Sequence, residues 1–273
     1  VTSSRGTGEL IRAALDAGAR RFILGIGGSA TNDGGAGMVQ ALGARLLDAQ
    51  GGELGPGGGA LAALEHIDVS ALDPRLAQCR IEVACDVDNP LTGPRGASAV
   101  FGPQKGASVE MVQALDANLA RFARIVERDL GVAVEAVAGA GAAGGMGAAM
   151  LAFFGATLKP GIEIVTAAVG LDAHVRDADL VITGEGRIDF QTVHGKTPIG
   201  VARVAKRHGI PVIGIAGSLG ADVGVVHAHG IDAVFSVLGK PCTLDEALHD
   251  AAANVELTAR NVAAVLRIGL ARR

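Results

Sequence analysis

Two carboxylates and two cationic side chains follow an apolar segment in the last third of the chain. The stretch "DLVITGEGRIDFQTVHGKT", residues 179–197, contains Glu185, Arg187, Asp189 and Lys196. Phosphoryl transfer needs this combination, because carboxylates hold a metal or accept a proton and cations neutralise the phosphoryl charge. The alternative is a surface loop held by salt bridges, but such a loop is less expected directly after a buried strand. The Gly-Lys-Thr at 195–197 is not a P-loop, because Phe190 stands where its first glycine is required.

A second polar loop, "GIGGSATNDGG" at 25–35, follows the apolar run "RRFIL". Gly25, Gly27 and Ala30 fit a dinucleotide fingerprint, with Asp48 placed to meet a ribose hydroxyl. Polar turn-forming residues intervene before a helix can begin near 34, however, which favours a cradle for a phosphate or carboxylate. The candidate binding residues are Gly27, Gly28, Ser29, Thr31, Asn32 and Asp33. For Asp33, helix capping and binding of a metal or substrate hydroxyl both remain open.

Two further loops contain candidate ligands. In "CDVDNPLTGPRGASAVFGPQKGAS", residues 85–108, Asp86 and Asp88 would project to one side of an extended chain and could hold a hard cation. Aspartates that merely mark a turn are the alternative. In "GAGAAGGMG", residues 139–147, the absence of bulky side chains would let a ligand approach the amides of Gly144 and Gly145.

Alternating strand and helix patterns must position these loops. They predict an α/β fold with mostly parallel sheets. Strands are expected at 21–26, 44–47, 80–85, 179–183, 211–216 and 233–237. Helices are expected at 7–17, 34–42, 108–129, 145–154, 196–208 and 243–267. The third carries an apolar stripe of Leu115, Leu119, Phe122 and Val126, and the last opens with a capping box of Thr243 and Glu246 before a second stripe that includes Leu244 and Leu248. Both stripes are expected to pack in the core. A glycine and a charged turn near Gly170 predict two domains, residues 1–170 and 171–273.

Composition excludes several classes of function. The chain has 273 residues, a net charge of −4, no Trp and no Tyr, so nucleic acid is not an expected partner. No apolar stretch approaches the roughly 20 residues that span a bilayer, so a membrane partner is not expected either. The three cysteines fit no zinc pattern, and unpaired thiols indicate a cytoplasmic protein.

Taken together and in this order, the motifs at 25–38, 85–107, 139–147 and 179–202 resemble those of the bacterial class I glycerate kinases. The resemblance covers essentially the whole chain and implies transfer of phosphate from ATP to D-glycerate, mostly giving 2-phosphoglycerate, with Mg²⁺. It also implies two α/β lobes with the active site in the cleft between them: a glycine-rich substrate-side domain and a Rossmann-like domain.

The resemblance also implies roles for individual residues. Asp189 would orient or deprotonate the attacking hydroxyl, while Arg187 and Lys196 would offset phosphoryl charge. The metal would be held by Asp86 or Asp88 and by Glu185, and Asn89 is a candidate for substrate binding. The family pattern usually has a small polar residue in place of Phe190, and its members carry about a hundred further upstream residues, so a missing N-terminal segment is expected here.

Two other functions remain as alternatives. An NAD-dependent dehydrogenase would use Gly25, Gly27, Ala30 and Asp48. A non-catalytic module that binds a small molecule would keep the fold without the chemistry.

Overall fold

The computed structural model describes residues 2–271, and it is a mixed α/β structure with mostly parallel strands. The chain divides into two compact units, which we call unit 1, ending at Gly161, and unit 2, beginning at Ile162. No helix within residues 2–271 combines the length and apolar character needed to cross a membrane.

Unit 1 contains five helices and five strands. The helices are α1 (Arg5–Asp16), α2 (Ala36–Ala41), α3 (Ala97–Phe101), α4 (Val109–Leu130) and α5 (Ala142–Phe154). The strands are β1 (Arg21–Gly25), β2 (Arg45–Leu47), β3 (His66–Asp68), β4 (Arg80–Ala84) and β5 (Thr157–Lys159), and short 3-10 turns lie at Gly58–Ala63, Pro74–Gln78 and Pro103–Lys105.

The main sheet of unit 1 places the ends of β1 and β4 side by side. Its order is β1-β4-β5, all parallel, with Gly25 opposite Ala84 and Ala84 opposite Lys159. β2 and β3 form a separate antiparallel pair. Because parallel strands end at the same edge, the loops after β1 and β4 become neighbours although 60 residues of sequence separate Gly25 from Cys85.

Helix α4 packs against α5 through the apolar stripe that its sequence predicts. Leu119, Phe122 and Val126 are fully buried, and Phe122 stacks on Phe153 of α5 with ring centroids 6.5 Å apart. Ser108 caps the helix by accepting the N–H of Met111. The 3.6-residue period therefore places one face of α4 in the core.

An ion-pair network crosses the same sheet at Glu82 of β4, whose side chain is buried while its cationic partners are partly or largely exposed. The carboxylate lies 2.6 Å from Lys159 Nζ and 3.1 Å from Arg80 Nη2, with Arg21 also in range. Hydrogen bonds from Lys159 and Arg80 lower the pKa of the Glu82 carboxyl from 4.5 to about 2. The charged form is thus favoured by folding.

We expect Glu82→Gln to reduce stability near neutral pH and to flatten its acid dependence. Because the folded pKa is depressed, this contribution is present above pH 4.5 and is lost as the pH falls toward about 2. Urea unfolding between pH 7 and pH 2.5 measures it, with Glu256→Gln, which removes an exposed pair to Arg260, as the control. Parallel curves for wild type and Glu82→Gln would contradict this prediction.

Unit 2 contains three strands and the remaining helices. The strands are β6 (Val181–Ile188), β7 (Val212–Leu219) and β8 (Ala233–Ser236), paired in this order and parallel. The helices are α6 (Gly161–Ala168), whose first residue belongs to unit 1, α7 (Leu171–Val175), α8 (Thr197–Arg207), α9 (Leu244–His249) and α10 (Ala251–Leu270), with 3-10 turns at Phe190–Val193 and Val223–His229.

The predicted last helix is divided in two. α9 begins with the expected capping box of Thr243 and Glu246 and ends before Asp250. The sequence predicts that its apolar stripe packs in the core, but Leu244 is 73% exposed and Leu248 is 66% exposed, so the prediction is wrong for α9, whereas Val262 of α10 is buried. These two side chains instead border an apolar cavity of about 620 Å³ beside Ile182 and Ile215 of the sheet.

Candidate functional site

In unit 1, a cavity of about 360 Å³ opens where β1 and β4 end. Its wall is formed by the loop that follows β1, residues 25–29, and by residues 84–87 after β4. Phe101, Gln104 and Lys105 come from α3 and the next turn, and Ala142 and Ala143 come from the start of α5. Three of the four sequence motifs, at 25–38, 85–107 and 139–147, therefore contribute to one cavity.

Lys105 provides the positive charge of this cavity. Its Nζ donates to the backbone oxygen of Thr31 at 2.6 Å and lies 3.1 Å from Ser29 Oγ. Burial lowers the pKa of the Lys105 ammonium, and the charge of Asp33 opposes that shift. Lys105 lies in the loop at 85–108, and no local pattern links it to Thr31, because 74 residues separate the two.

The candidate glycines divide into two groups. A Cβ atom on Gly27 or Gly28 would meet no atom within 4 Å, so both positions adjoin open space at the cavity. A Cβ on Gly144 would overlap the Thr31 carbonyl, and one on Gly145 would lie 2.8 Å from Gly34 Cα. Close packing of two loops thus accounts for Gly144 and Gly145 without a ligand.

Asp33 is fully buried, and both of its carboxylate oxygens accept hydrogen bonds within unit 1. Its carboxylate accepts from Ser4 N and Ser4 Oγ, each at 2.8 Å, and from the N–H groups of Gly35 and Gly37 at 3.1 and 3.3 Å. This arrangement favours the capping interpretation, because the carboxylate serves the first turn of α2 and holds the start of α1 against it.

Thr31 and Asn32, in the same loop, each keep a polar atom without a partner. Both residues are 8% exposed, and Asn32 Nδ2 donates to Ser98 Oγ at 2.8 Å. Thr31 Oγ1 and Asn32 Oδ1 have no hydrogen-bond partner within the described part of the chain. Buried polar atoms are normally paired, so these two are available to a bound hydroxyl or water.

The three candidates after β4 have separate surroundings. Asp86 lines the cavity and accepts the N–H of Gly161 at 2.8 Å. Both oxygens of Asp88 lie 3.1 Å from Arg95 Nη2 on the exposed surface. Asn89 Nδ2 donates to the Arg95 carbonyl, an interaction that closes this loop. Different partners therefore engage the two aspartates.

The structure does not support dinucleotide binding by the fingerprint at Gly25, Gly27 and Ala30. Ten residues separate the end of β1 from the start of α2, and β2 pairs with β3 rather than with the sheet of β1. Asp48 accepts the N–H groups of Gln50 and Gly52 in its own turn. A ribose-binding acid would have to end a strand beside β1, which Asp48 does not.

In unit 2, the candidates of the last motif form one connected network. Thr192 is fully buried, and its Oγ1 donates to Glu185 Oε1 at 2.6 Å while accepting the N–H of Asp189 at 3.0 Å. Asp189 accepts the N–H of Gln191 and lies 3.2 Å from Arg187 Nε. Lys196 Nζ is 3.8 Å from Glu185 Oε2.

Two features of this network differ from the sequence expectation. β6 continues to Ile188, so Glu185 and Arg187 lie on the strand and not in a loop. Thr192 is not among the candidates predicted from the sequence, although it lies three residues after Asp189, which is the spacing of a capping box. Both carboxylates are consequently fixed by main-chain and hydroxyl contacts near the carboxyl end of β6.

Carboxylates for a metal are few in each unit. Among residues 2–271, no group of three or more His, Cys, Asp or Glu side chains could hold a metal ion by itself. Mg²⁺ is commonly bound by one or two carboxylates together with substrate phosphates, so such a group is not required. Glu185 Oε2 is a carboxylate oxygen that accepts no hydrogen bond from residues 2–271, and this fits a magnesium–nucleotide complex.

Comparison with known proteins identifies the family. The model of the glycerate kinase family matches residues 1–267. The chain is 64% identical to glycerate 2-kinase of Escherichia coli (strain K12) over 99% of this chain and 71% of that protein. It is 61% identical to glycerate kinase of Bacillus subtilis (strain 168), covering 98% of this chain and 70% of that one.

A solved structure agrees with these relatives. The crystal structure of a candidate glycerate kinase 2 from Salmonella typhimurium LT2 has a TM-score of 0.87 and 65% identity, covering 98% of this chain and 70% of that chain. This similarity in sequence and fold removes the dehydrogenase alternative. The chain belongs to the glycerate kinase family.

Proposed function

We propose that this glycerate kinase transfers the terminal phosphoryl group of ATP to the 2-hydroxyl of D-glycerate with the help of Mg²⁺, giving 2-phosphoglycerate. The observation that carries the proposal is the network of unit 2, in which two carboxylates and two cations surround the carboxyl end of one strand. The name of the Escherichia coli relative, glycerate 2-kinase, supports the choice of hydroxyl.

Asp189 accepts the proton of the attacking hydroxyl in this proposal. Its carboxylate is held by the N–H of Gln191 and by Arg187, so it has one orientation before substrate arrives. A positioned carboxylate of this kind contributes about 10²–10⁴-fold to rate through proton transfer. Arg187 and Lys196 offset the charge that develops on the transferred group.

Glu185 is the proposed magnesium ligand of unit 2. Thr192 fixes Oε1, whereas Oε2 accepts no hydrogen bond from residues 2–271 and lies 3.8 Å from Lys196 Nζ. When bound, Mg²⁺ would neutralise phosphate charge. We leave out Asp88, because the Arg95 guanidinium already occupies both of its oxygens. We keep Asp86 as an acidic group of the cavity in unit 1.

Cytoplasmic activity is part of the proposal. The three cysteines are unpaired, as expected in a reducing compartment. ATP as the phosphoryl donor is consistent with that location.

A coupled assay of ADP release tests the proposed reaction. The assay uses this chain and a chimera in which it replaces the matching 71% of the Escherichia coli protein. We expect D-glycerate and Mg²⁺ to be required, and phosphorus NMR to show phosphate on carbon 2. A folded chimera that releases no ADP with D-glycerate would overturn the kinase proposal and favour a non-catalytic binding module. Phosphate on carbon 3 would overturn the choice of hydroxyl.

A further inference from the structure

We infer that Lys105, together with the main-chain N–H groups of Gly27 and Gly28, binds the carboxylate of the substrate acid in the cavity of unit 1. The inference rests on the proposed function for the identity of the acid. It assigns the residue that recognises the acid group, whereas the network of unit 2 concerns the phosphoryl group.

The first argument is the state of the Lys105 ammonium. Its contacts to Ser29 and Thr31 use neutral oxygens, and no carboxylate of residues 2–271 forms an ion pair with it. Removing a cation from water without a paired carboxylate is unfavourable, and the charge of Asp33 offsets this only in part, because the pKa of Lys105 is still lowered. A half-buried ammonium in this position is therefore suited to an anion that arrives with the substrate.

The second argument is the number of donors. An ammonium has three N–H bonds, and two of them are accounted for by Ser29 and Thr31. Those two contacts fix Nζ on the wall of the cavity, which Lys105 lines. One N–H remains for a ligand, and its direction is set before the ligand binds.

The third argument is the glycine wall beside Lys105. Gly27 and Gly28 line the same cavity, and a Cβ on either would meet only open space. Their N–H groups donate to no acceptor within residues 2–271. Two main-chain donors and one ammonium match the oxygens of a carboxylate, in the manner of other anion-binding loops.

The charge of the lining separates a carboxylate from a polyphosphate. Lys105 and Asp86 are the charged side chains of the cavity, so its lining is neutral overall. A nucleotide triphosphate, with several negative charges, would be repelled by Asp86 and only partly neutralised by one lysine. A monoanionic hydroxy acid fits this lining, with its carboxylate near Lys105.

Calorimetric titration of the chain with D-glycerate, without nucleotide, tests the inference. We expect Lys105→Met to weaken binding at least 30-fold, because the variant keeps the length of the side chain and removes its charge. Lys206→Met removes an ion pair to Asp232 in unit 2 and serves as the matched control. We expect that control to bind within twofold of wild type.

Gly27→Ala provides a second variant that does not depend on a buried charge. Gly27 has neither a positive φ nor a neighbour near its Cβ position, so the added methyl group should be accepted by the fold and intrude into the cavity. We expect binding at least tenfold weaker than wild type. Gly55→Ala, at another open position without positive φ, is the control.

The outcomes distinguish this inference from the proposed function. Wild-type affinity in a folded Lys105→Met variant would overturn it, and if that variant unfolds, wild-type affinity in Gly27→Ala would do so. Absence of glycerate binding by the wild-type chain would also overturn it. If binding depends on Lys105 while the chimera releases no ADP, the carboxylate site stands and the kinase proposal fails. If ADP is released with the KM for glycerate unchanged in Lys105→Met, only the inference fails.

Discussion

Replacing Asp189 by Asn is expected to lower kcat by about 10²–10⁴-fold while leaving the fold intact. The amide oxygen of asparagine can still accept the N–H of Gln191, and Asn is as good a helix cap as Asp. The charge and the proton acceptor are lost, however. The measurement is the steady-state rate of ADP release in the active chimera, together with a thermal melt of the same preparation.

Asp189→Ala distinguishes the capping role of Asp189 from its role as a proton acceptor. This variant loses both functions, so we expect the same fall in kcat and a further loss of about 1 kcal/mol of stability. Asp73 offers a matched control in unit 1, because it also caps a 3-10 turn, accepts the N–H of Arg75 and pairs with that guanidinium. We expect Asp73→Asn to keep the wild-type kcat. A wild-type rate in Asp189→Asn would show that Asp189 is a cap and no more.

Replacing Asp33 by Ala is expected to destabilise unit 1 by about 3–5 kcal/mol. The substitution would leave four donors from Ser4, Gly35 and Gly37 without an acceptor in a site closed to water. It would also release the start of α1 from α2. Urea unfolding gives the free energy, and hydrogen exchange of the α1 amides shows where the loss lies.

Two variants control the Asp33 prediction. Asp33→Asn keeps one acceptor oxygen and should lose clearly less stability than Asp33→Ala. Asp48→Ala removes a partly exposed carboxylate that accepts two main-chain N–H groups, and water can replace it there, so we expect a loss of no more than about 1 kcal/mol. Equal losses in Asp33→Ala and Asp48→Ala would contradict the argument that burial sets the cost.

Local patterns in the sequence predicted most of the regular elements. The stripe of Leu119, Phe122 and Val126 is buried in α4, and the capping box of Thr243 and Glu246 begins α9. Such signals are read within one or two turns of helix, so they do not depend on distant residues. The same patterns do not predict β3 and β5, whose pairing partners β2 and β4 lie elsewhere in the chain.

Two glycines explain why the sequence predicts too early an end for β6. Gly184 and Gly186 are typical turn residues, so the sequence predicts that the strand ends at Thr183. In the sheet, a Cβ on Gly184 would overlap the Ile215 carbonyl of β7, so this glycine permits close approach of two strands. A strand partner 31 residues away decides this, and no local pattern contains it.

The residue types alone determined the class of chemistry, because the order of acidic residues, cationic residues and glycine-rich turns is a property of the sequence. Tertiary structure decided which of them meet. Lys105 reaches Ser29 and Thr31 only because β4 pairs with β1, and only the folded chain brings Gly144 against the Thr31 carbonyl and the Asp33 carboxylate against Ser4. Contacts between distant segments depend on sheet order and loop packing, which are properties of the whole fold.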